Sequence, residues 1–144
     1  MSAVYTRILA DAKNLASAVA TGYTAVIRKE IKVFDGDTLP LLLIVPDMQA
    51  EHEEAFEGKI TLKYKVGVAL IIAGNQTFET GLSDLFDTRD DIRHALHITQ
   101  MPTAIEVYDS MIDLAPVYDV SAIKANYDFT LMDFIYLSSE NRNS

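Results

Sequence analysis

The chain has 144 residues, 49% of them hydrophobic, and carries 12 basic against 21 acidic side chains for a net charge of −9. That is enough chain for one domain with its own core, and its acidity excludes a protein built to grip nucleic-acid phosphates by charge. Cysteine is absent, which excludes disulfides, thiol nucleophiles and thiolate metal sites.

Arg7, Asp11, Lys13 and Asn14 interrupt any leader-type apolar stretch near the start. The longest apolar runs, Leu41 to Val45 and Val66 to Ala73, fall far short of the roughly 18 residues a spanning helix needs. A soluble protein made in the cytoplasm is expected, with no membrane partner.

Residues 3–20 read as a helix, because Val4, Ile8, Ala12, Leu15 and Val19 recur at three- and four-residue steps. Ser2 is the expected N-cap and Gly22 the stop. Residues 25–34 read as a strand with Ala25, Ile27, Ile31 and Val33 on one face and Lys29 as an inward charge at a sheet edge. Asp35-Gly36-Asp37 is turn chemistry. Leu39 to Val45, opened by Pro40, is a strand covered on both faces.

Residues 46–58 form a long polar connection with five acids, Asp47, Glu51, Glu53, Glu54 and Glu57. Connections of this length are often functional, and the alternative is a solvated loop. Met48, Glu51, Glu53, Glu54 and Phe56 are the candidate docking residues, the apolar pair anchoring and the acids selecting a basic partner surface.

Residues 59–73 alternate without a break from Ile60 to Ile72, and turn apolar on both faces toward Ala73. At about 3.3 Å per residue this strand spans roughly 50 Å, whereas a compact chain of this size is about 38 Å across. The strand must bend or project. Gly67 is the candidate bend or bulge, and the polar-backed half, 59–66, is the part expected to project as a long β-hairpin.

After a turn at Gly74-Asn75, a second helix is expected over 80–97, with Leu82, Leu85, Phe86, Ile92 and Leu96 as its stripe. Asp84, Asp87, Asp90 and Asp91 precede Arg93, His94 and His97, a polarity that suits the helix dipole. Residues 104–114 read as a strand, 119–126 as a short helical turn, 127–137 as a closing strand and 138–144 as a frayed polar tail. The expected fold is α+β: residues 1–137 as one domain, with a single mostly antiparallel sheet, two main helices packed against it and the projecting hairpin.

No reactive constellation emerges. His94 and His97 share a helical face with Asp90 and Asp91, but no HExxH spacing occurs. The helix-two acids sit on a convex surface with no recess to shift their pKa values. No GxSxG or Gly-rich phosphate loop is present. Arg28, Lys29, Lys32, Lys63 and Lys65 read as the outer face of a sheet in preference to a nucleic-acid patch. The expectation is a protein that is not an enzyme and has no cofactor or metal.

The stretch YKVGVALIIAGNQTFETGLSDLFDTRDDIRHALH resembles the central segment of the tail terminator (tail completion) proteins of long-tailed bacteriophages. The residues that carry the likeness are Leu85, Arg89, Ile92, Arg93, Ala95 and Leu96. The later NYDFTLMDFIY, opened by Asn126-Tyr127-Asp128, resembles the family's closing strand. The likeness spans roughly residues 25–137; the acidic stretch 47–57 and Asp133 depart from the family's pattern.

The resemblance implies a virion structural protein at the tail and neck, assembled in the host cytoplasm. Its partners would be copies of itself in a ring, usually a hexamer, together with the tail-tube protein and the head–tail connector proteins. DNA would pass through the lumen without specific binding. The alternatives are another connector or neck subunit, or a small metal- or ligand-binding α+β domain.

Overall fold

A computed structural model of the chain describes residues 3–46, 51–54 (as backbone), 58–114, 116, 118–121, 123 and 126–141. Helix α1 is Val4–Val19, and it buries Ile8, Ala12 and Ala16. The expected cap Ser2 lies outside the described residues; Ala3 holds the cap position and makes no side-chain bond there. Gly22 follows the helix with φ 87°, a left-handed conformation that glycine adopts without strain.

Six strands form one sheet: β1 Thr24–Ile27, β2 Leu41–Pro46, β3 Glu51–Glu54, β4 Lys59–Ala73, β5 Val107–Asp113 and β6 Tyr127–Asn141. Their order is β1-β2-β4-β6-β5, with β3 beside β4. The β1–β2 pair is parallel and every other ladder is antiparallel. The fold is therefore α+β, with one mixed, mostly antiparallel sheet and two main helices.

Alternation along β4 divides the core. Tyr64, Val66, Val68 and Leu70 face the helices, where Ile8, Ala12, Leu85, Ile92, Leu96, Phe134 and Tyr136 pack on them. Ala69 and Ile71 face the opposite side, with Leu41, Leu43, Val45, Ile31 and Ile123. Burying a side chain of this size contributes about 1.5–3 kcal/mol, so the doubly covered middle of β2 and β4 holds the sheet together.

Helix α2, Ser83–Leu96, starts from one wide turn of π geometry, Phe78–Leu82. Thr77 and Thr80 form a reciprocal capping box at its start, which fixes where the chain leaves the β4 turn. Leu85, Ile92 and Leu96 are buried as the stripe requires, whereas Phe86 is half exposed.

Four expectations about the elements change. The strand expected over 25–34 stops at Ile27. The Arg28 guanidinium is held by both Asp37 oxygens (2.6 and 2.5 Å) and by the Lys32 carbonyl, which closes residues 28–37 into a loop. Ile31 is still buried, but as part of that loop folded over the second face, and Lys29 is exposed. The polar connection 46–58 contains β3. The strand expected from 104 begins at Val107. The closing strand runs on to Asn141, so 138–141 are not a frayed tail: they pair with Lys59–Leu62, and Ser138 is fully buried.

Polar ties fasten the helices to the strands. Asp11, buried in α1, accepts from the Thr103 and Ala104 N–H groups (both 2.9 Å) and from Thr103 Oγ1 (2.8 Å). Arg7 pairs through both terminal nitrogens with Glu106 (2.8 and 2.6 Å). The Arg7 hydrogen bond holds the Glu106 carboxyl below its usual range, and Arg28 followed by the Phe34 N–H does the same for Asp37. A carboxylate with a lowered folded pKa stabilises the fold above its unfolded pKa, and that stabilisation fades as pH falls through the folded value. Stability should therefore decline on the acid side, below roughly pH 4.5. Glu106→Gln and Asp37→Asn should each flatten the fall of Tm between about pH 5 and 2, measured by thermal melts across that range.

Candidate interaction surface

The two long strands β4 and β6 have 15 residues each and pair without a break from Lys59↔Asn141 to Ala73↔Tyr127. On β4's other edge, β2 covers only Val66–Ile71. The outer half of β4 instead takes β3, with Glu51 opposite Lys63, His52 opposite Leu62, Glu53 opposite Thr61 and Glu54 opposite Ile60. Three of the sequence-predicted docking residues, Glu51, Glu53 and Glu54, thus stand in a strand at the sheet's margin. Met48 and Phe56 lie outside the described residues.

The helix-facing side of this outer half is braced. Tyr5 and Tyr64 pack ring on ring with centroids 4.8 Å apart. The Tyr64 hydroxyl donates to Glu140 Oε2 (2.9 Å), and Ser138 Oγ donates to the same oxygen. Burial, followed by the neighbouring Glu140 carboxylate, pushes the Tyr64 phenol well above its usual range, so it remains a donor. A cleft of about 530 Å³ opens beside these groups, lined by Tyr5, Arg7, Lys59, Tyr64, Glu106 and Glu140 among others. Its charges are already spent on each other in part, through the Arg7–Glu106 pair.

A second cleft, of about 520 Å³, lies at the other end of the sheet, near Tyr23, Pro40, Gln76, Asp84 and Thr88. The helix-two acids Asp84, Asp87, Asp90 and Asp91 are exposed. Asp90 is held by Arg93 (2.7 Å) and lies 3.5 Å from His94 Nε2. Among the described residues no group of three His, Asp or Glu side chains is placed to hold a metal ion. The basic residues do not merge into one patch: β2 separates β1 from β4, Arg28 is bound to Asp37, and Lys29 and Lys32 lie in the loop.

Gly67 shows no bulge. The ladders to β2 and β6 pass through it in register, opposite Val45 and Asp133. Its missing side chain has a packing reason: a Cβ there would stand 2.5 Å from the Tyr118 hydroxyl. That hydroxyl donates to Asp133 Oδ1 (2.5 Å), and Asp133 is buried. Sequence reasoning missed this trio. The available signal was an acid inside an apolar strand, which demands a donor nearby.

The residues singled out on helix two and the closing strand turn out to be structural. Leu85, Ile92 and Leu96 are core. Arg89 reaches across to the carbonyls of Leu114 (3.0 Å) and Leu131 (3.3 Å), tying α2 to the sheet. Asp128 accepts from the Gln76 N–H (2.7 Å) and fixes the turn after β4. At that turn Gly74 lies so close to the Asn126 carbonyl that a Cβ would approach it to 2.6 Å.

No protein-family model matches the chain, and no curated protein matches it. No helix among the described residues is long and apolar enough to cross a membrane.

Proposed function

We propose that this chain is a virion structural protein of a long-tailed bacteriophage, a tail terminator that forms a ring, a hexamer, on the head-proximal end of the tail tube. The ring ends tube polymerisation and joins the tail to the head connector, and DNA passes through its lumen. The observation that carries the reading is the β4–β6 ladder: its inner half is buried between two apolar layers, and its outer half carries an acidic strand at its margin. A rigid section of sheet anchored in a core is a means of holding a docking element against a partner. The net charge of −9 suits a lumen through which DNA slides, since like charge prevents sticking.

The site-level claim is that Glu53 and Glu54 read a basic partner surface. Glu53→Lys/Glu54→Lys should abolish head–tail joining, scored as infectious particles from complementation with the variant, while the melting curve stays at the wild-type position. Normal titres from the double variant would remove β3 from the docking surface.

A further inference from the structure

We propose that the outer edge of β5 is the docking site for an extended, basic segment of another protein, which joins the sheet as a further strand and carries lysine or arginine at two positions four residues apart. The inference goes beyond the ring reading and does not depend on it: the surface is not that of β3, and the occupant is not a second copy of this chain.

β5 ends the sheet. Among the described residues its single ladder partner is β6, and the outward N–H and C=O groups of an edge strand are a template for another chain. The margin around it is apolar. Of the nine large hydrophobic side chains exposed among the described residues, five stand here: Phe86 (50%), Ile105 (78%), Tyr108 (48%), Met111 (41%) and Leu114 (52%). Single exposed apolar residues need no explanation, but a run of them along an unpartnered strand edge is the pattern of an interface. Each end of the strand adjoins a recess on the helix side. One of about 470 Å³ is lined by Met101, Ile105, Val107 and Tyr108 among others, at the start of β5. One of about 270 Å³ is lined by Phe86, Arg89, Arg93 and Leu114 among others, at its end.

Charge selects the occupant. β5 and β6 together carry five carboxylates, Asp109, Asp113, Asp128, Asp133 and Glu140, and no lysine, arginine or histidine. Asp109, Met111 and Asp113 alternate onto one face, opposite Leu137, Ile135 and Asp133 of β6. Two exposed acids thus flank an exposed methionine, and β6 supplies them no cation. On the helix side, Arg93 is paired with Asp90 (2.7 Å), and Arg89 donates to the Leu114 and Leu131 carbonyls. Asp109 Oδ1 accepts from the Ser110 N–H (2.9 Å), and its second oxygen suits an incoming ammonium. At about 3.4 Å per residue, Asp109 and Asp113 stand roughly 14 Å apart along the strand. A strand laid alongside meets them with residues four apart and meets Met111 with the residue between. The pattern this edge reads is basic-x-apolar-x-basic, with an apolar residue just outside each base, turned to the recesses. A second copy's β5 paired about Met111 would set Asp109 against Asp113 twice over, and like charges directly opposite destabilise such a pair.

The probe is a fluorescent peptide, VKTITKV, blocked at both ends and titrated onto the full chain by fluorescence anisotropy, with VETITEV as its acidic counterpart. The lysine peptide should bind at least about tenfold more tightly than the glutamate peptide. Asp109→Lys/Asp113→Lys, checked for folding by circular dichroism, should reverse that order. Strand addition is read on the unaltered chain, so it stands whether or not the variant folds. Hydrogen exchange of the β5 amides should slow when the lysine peptide binds. Of two lysine peptides N-methylated on alternate nitrogens, the one blocked on its bonding edge should lose binding at least about tenfold, and the other should keep it. Equal affinity for the lysine and glutamate peptides, no binding of the lysine peptide up to about 1 mM, binding that leaves β5 exchange unchanged, or a folded double variant that still prefers lysine would each overturn the proposal.

Discussion

Asp11→Ala lowers the stability of the folded chain by about 3–5 kcal/mol. The carboxylate is 2% exposed and accepts three hydrogen bonds from Thr103 and Ala104, the segment that leads into β5. Alanine leaves the Ala104 N–H without an acceptor in a buried site and takes the acceptor from the part-buried bonds of Thr103. Each such loss costs about 1–3 kcal/mol, at the upper end where the partner is charged. With total stability typically about 5–15 kcal/mol, the fall in Tm should be roughly 10–15 °C. Asp11→Asn separates hydrogen bonding from packing. Its carbonyl can keep both N–H bonds that Oδ2 accepts, and its amide can donate to Thr103 Oγ1, whose hydroxyl then turns away. Asparagine should therefore recover most of the loss in chemical denaturation, and an equal loss for both variants would show that the three bonds are not what matters.

Gly67→Val costs about 3 kcal/mol for a different reason. Valine's Cβ would lie 2.5 Å from Tyr118 Oη, 3.0 Å from its Cζ and 3.2 Å from Asp133 Oδ1. The tyrosine must leave, which strips a donor from a buried acid and a ring from the second apolar layer. The diagnostic measurement is a double-mutant cycle with Tyr118→Ala. If Tyr118 is the obstacle, the valine penalty should shrink to less than about 1 kcal/mol in the alanine background. An unchanged penalty would mean that the backbone at 67, not the tyrosine, requires glycine.

Much of the fold was legible because period and burial coincide. β4 occupies 59–73 as its unbroken alternation required, and of the α1 stripe Ile8 and Ala12 are buried and Val4 and Leu15 pack half-buried on the core, whereas Val19 near the helix end is exposed. The errors occur where pairing or side-chain bonds override pattern. Residues 51–54, EHEE, have no apolar alternation; what makes them a strand is the free edge of β4 left beyond β2. Ser138 to Asn141 look like a tail for the same reason, yet they are held by Lys59–Leu62 across the ladder. β1 has a good strand pattern through Val33, but the Arg28–Asp37 pair turns the chain after Ile27. Phe86 falls on the apolar stripe of helix two and is nonetheless half exposed, beside Arg89 and Leu114.

The candidate surface was legible only in part. An acidic connection of unusual length singled out Glu51, Glu53 and Glu54, and the fold gives them a defined margin on the sheet. The β5 edge was not visible beforehand, because strand order is a property of long-range pairing that no local pattern encodes. The role of Gly67 was likewise hidden, since its neighbour Tyr118 is distant in sequence.

The most direct test of the ring-forming terminator is the native mass of the purified protein, read with negative-stain images of the same sample before and after mixing with tail tubes. The account predicts rings of about six copies with a central hole, seated on one end of the tubes. A monomer that leaves both tube ends bare would contradict it.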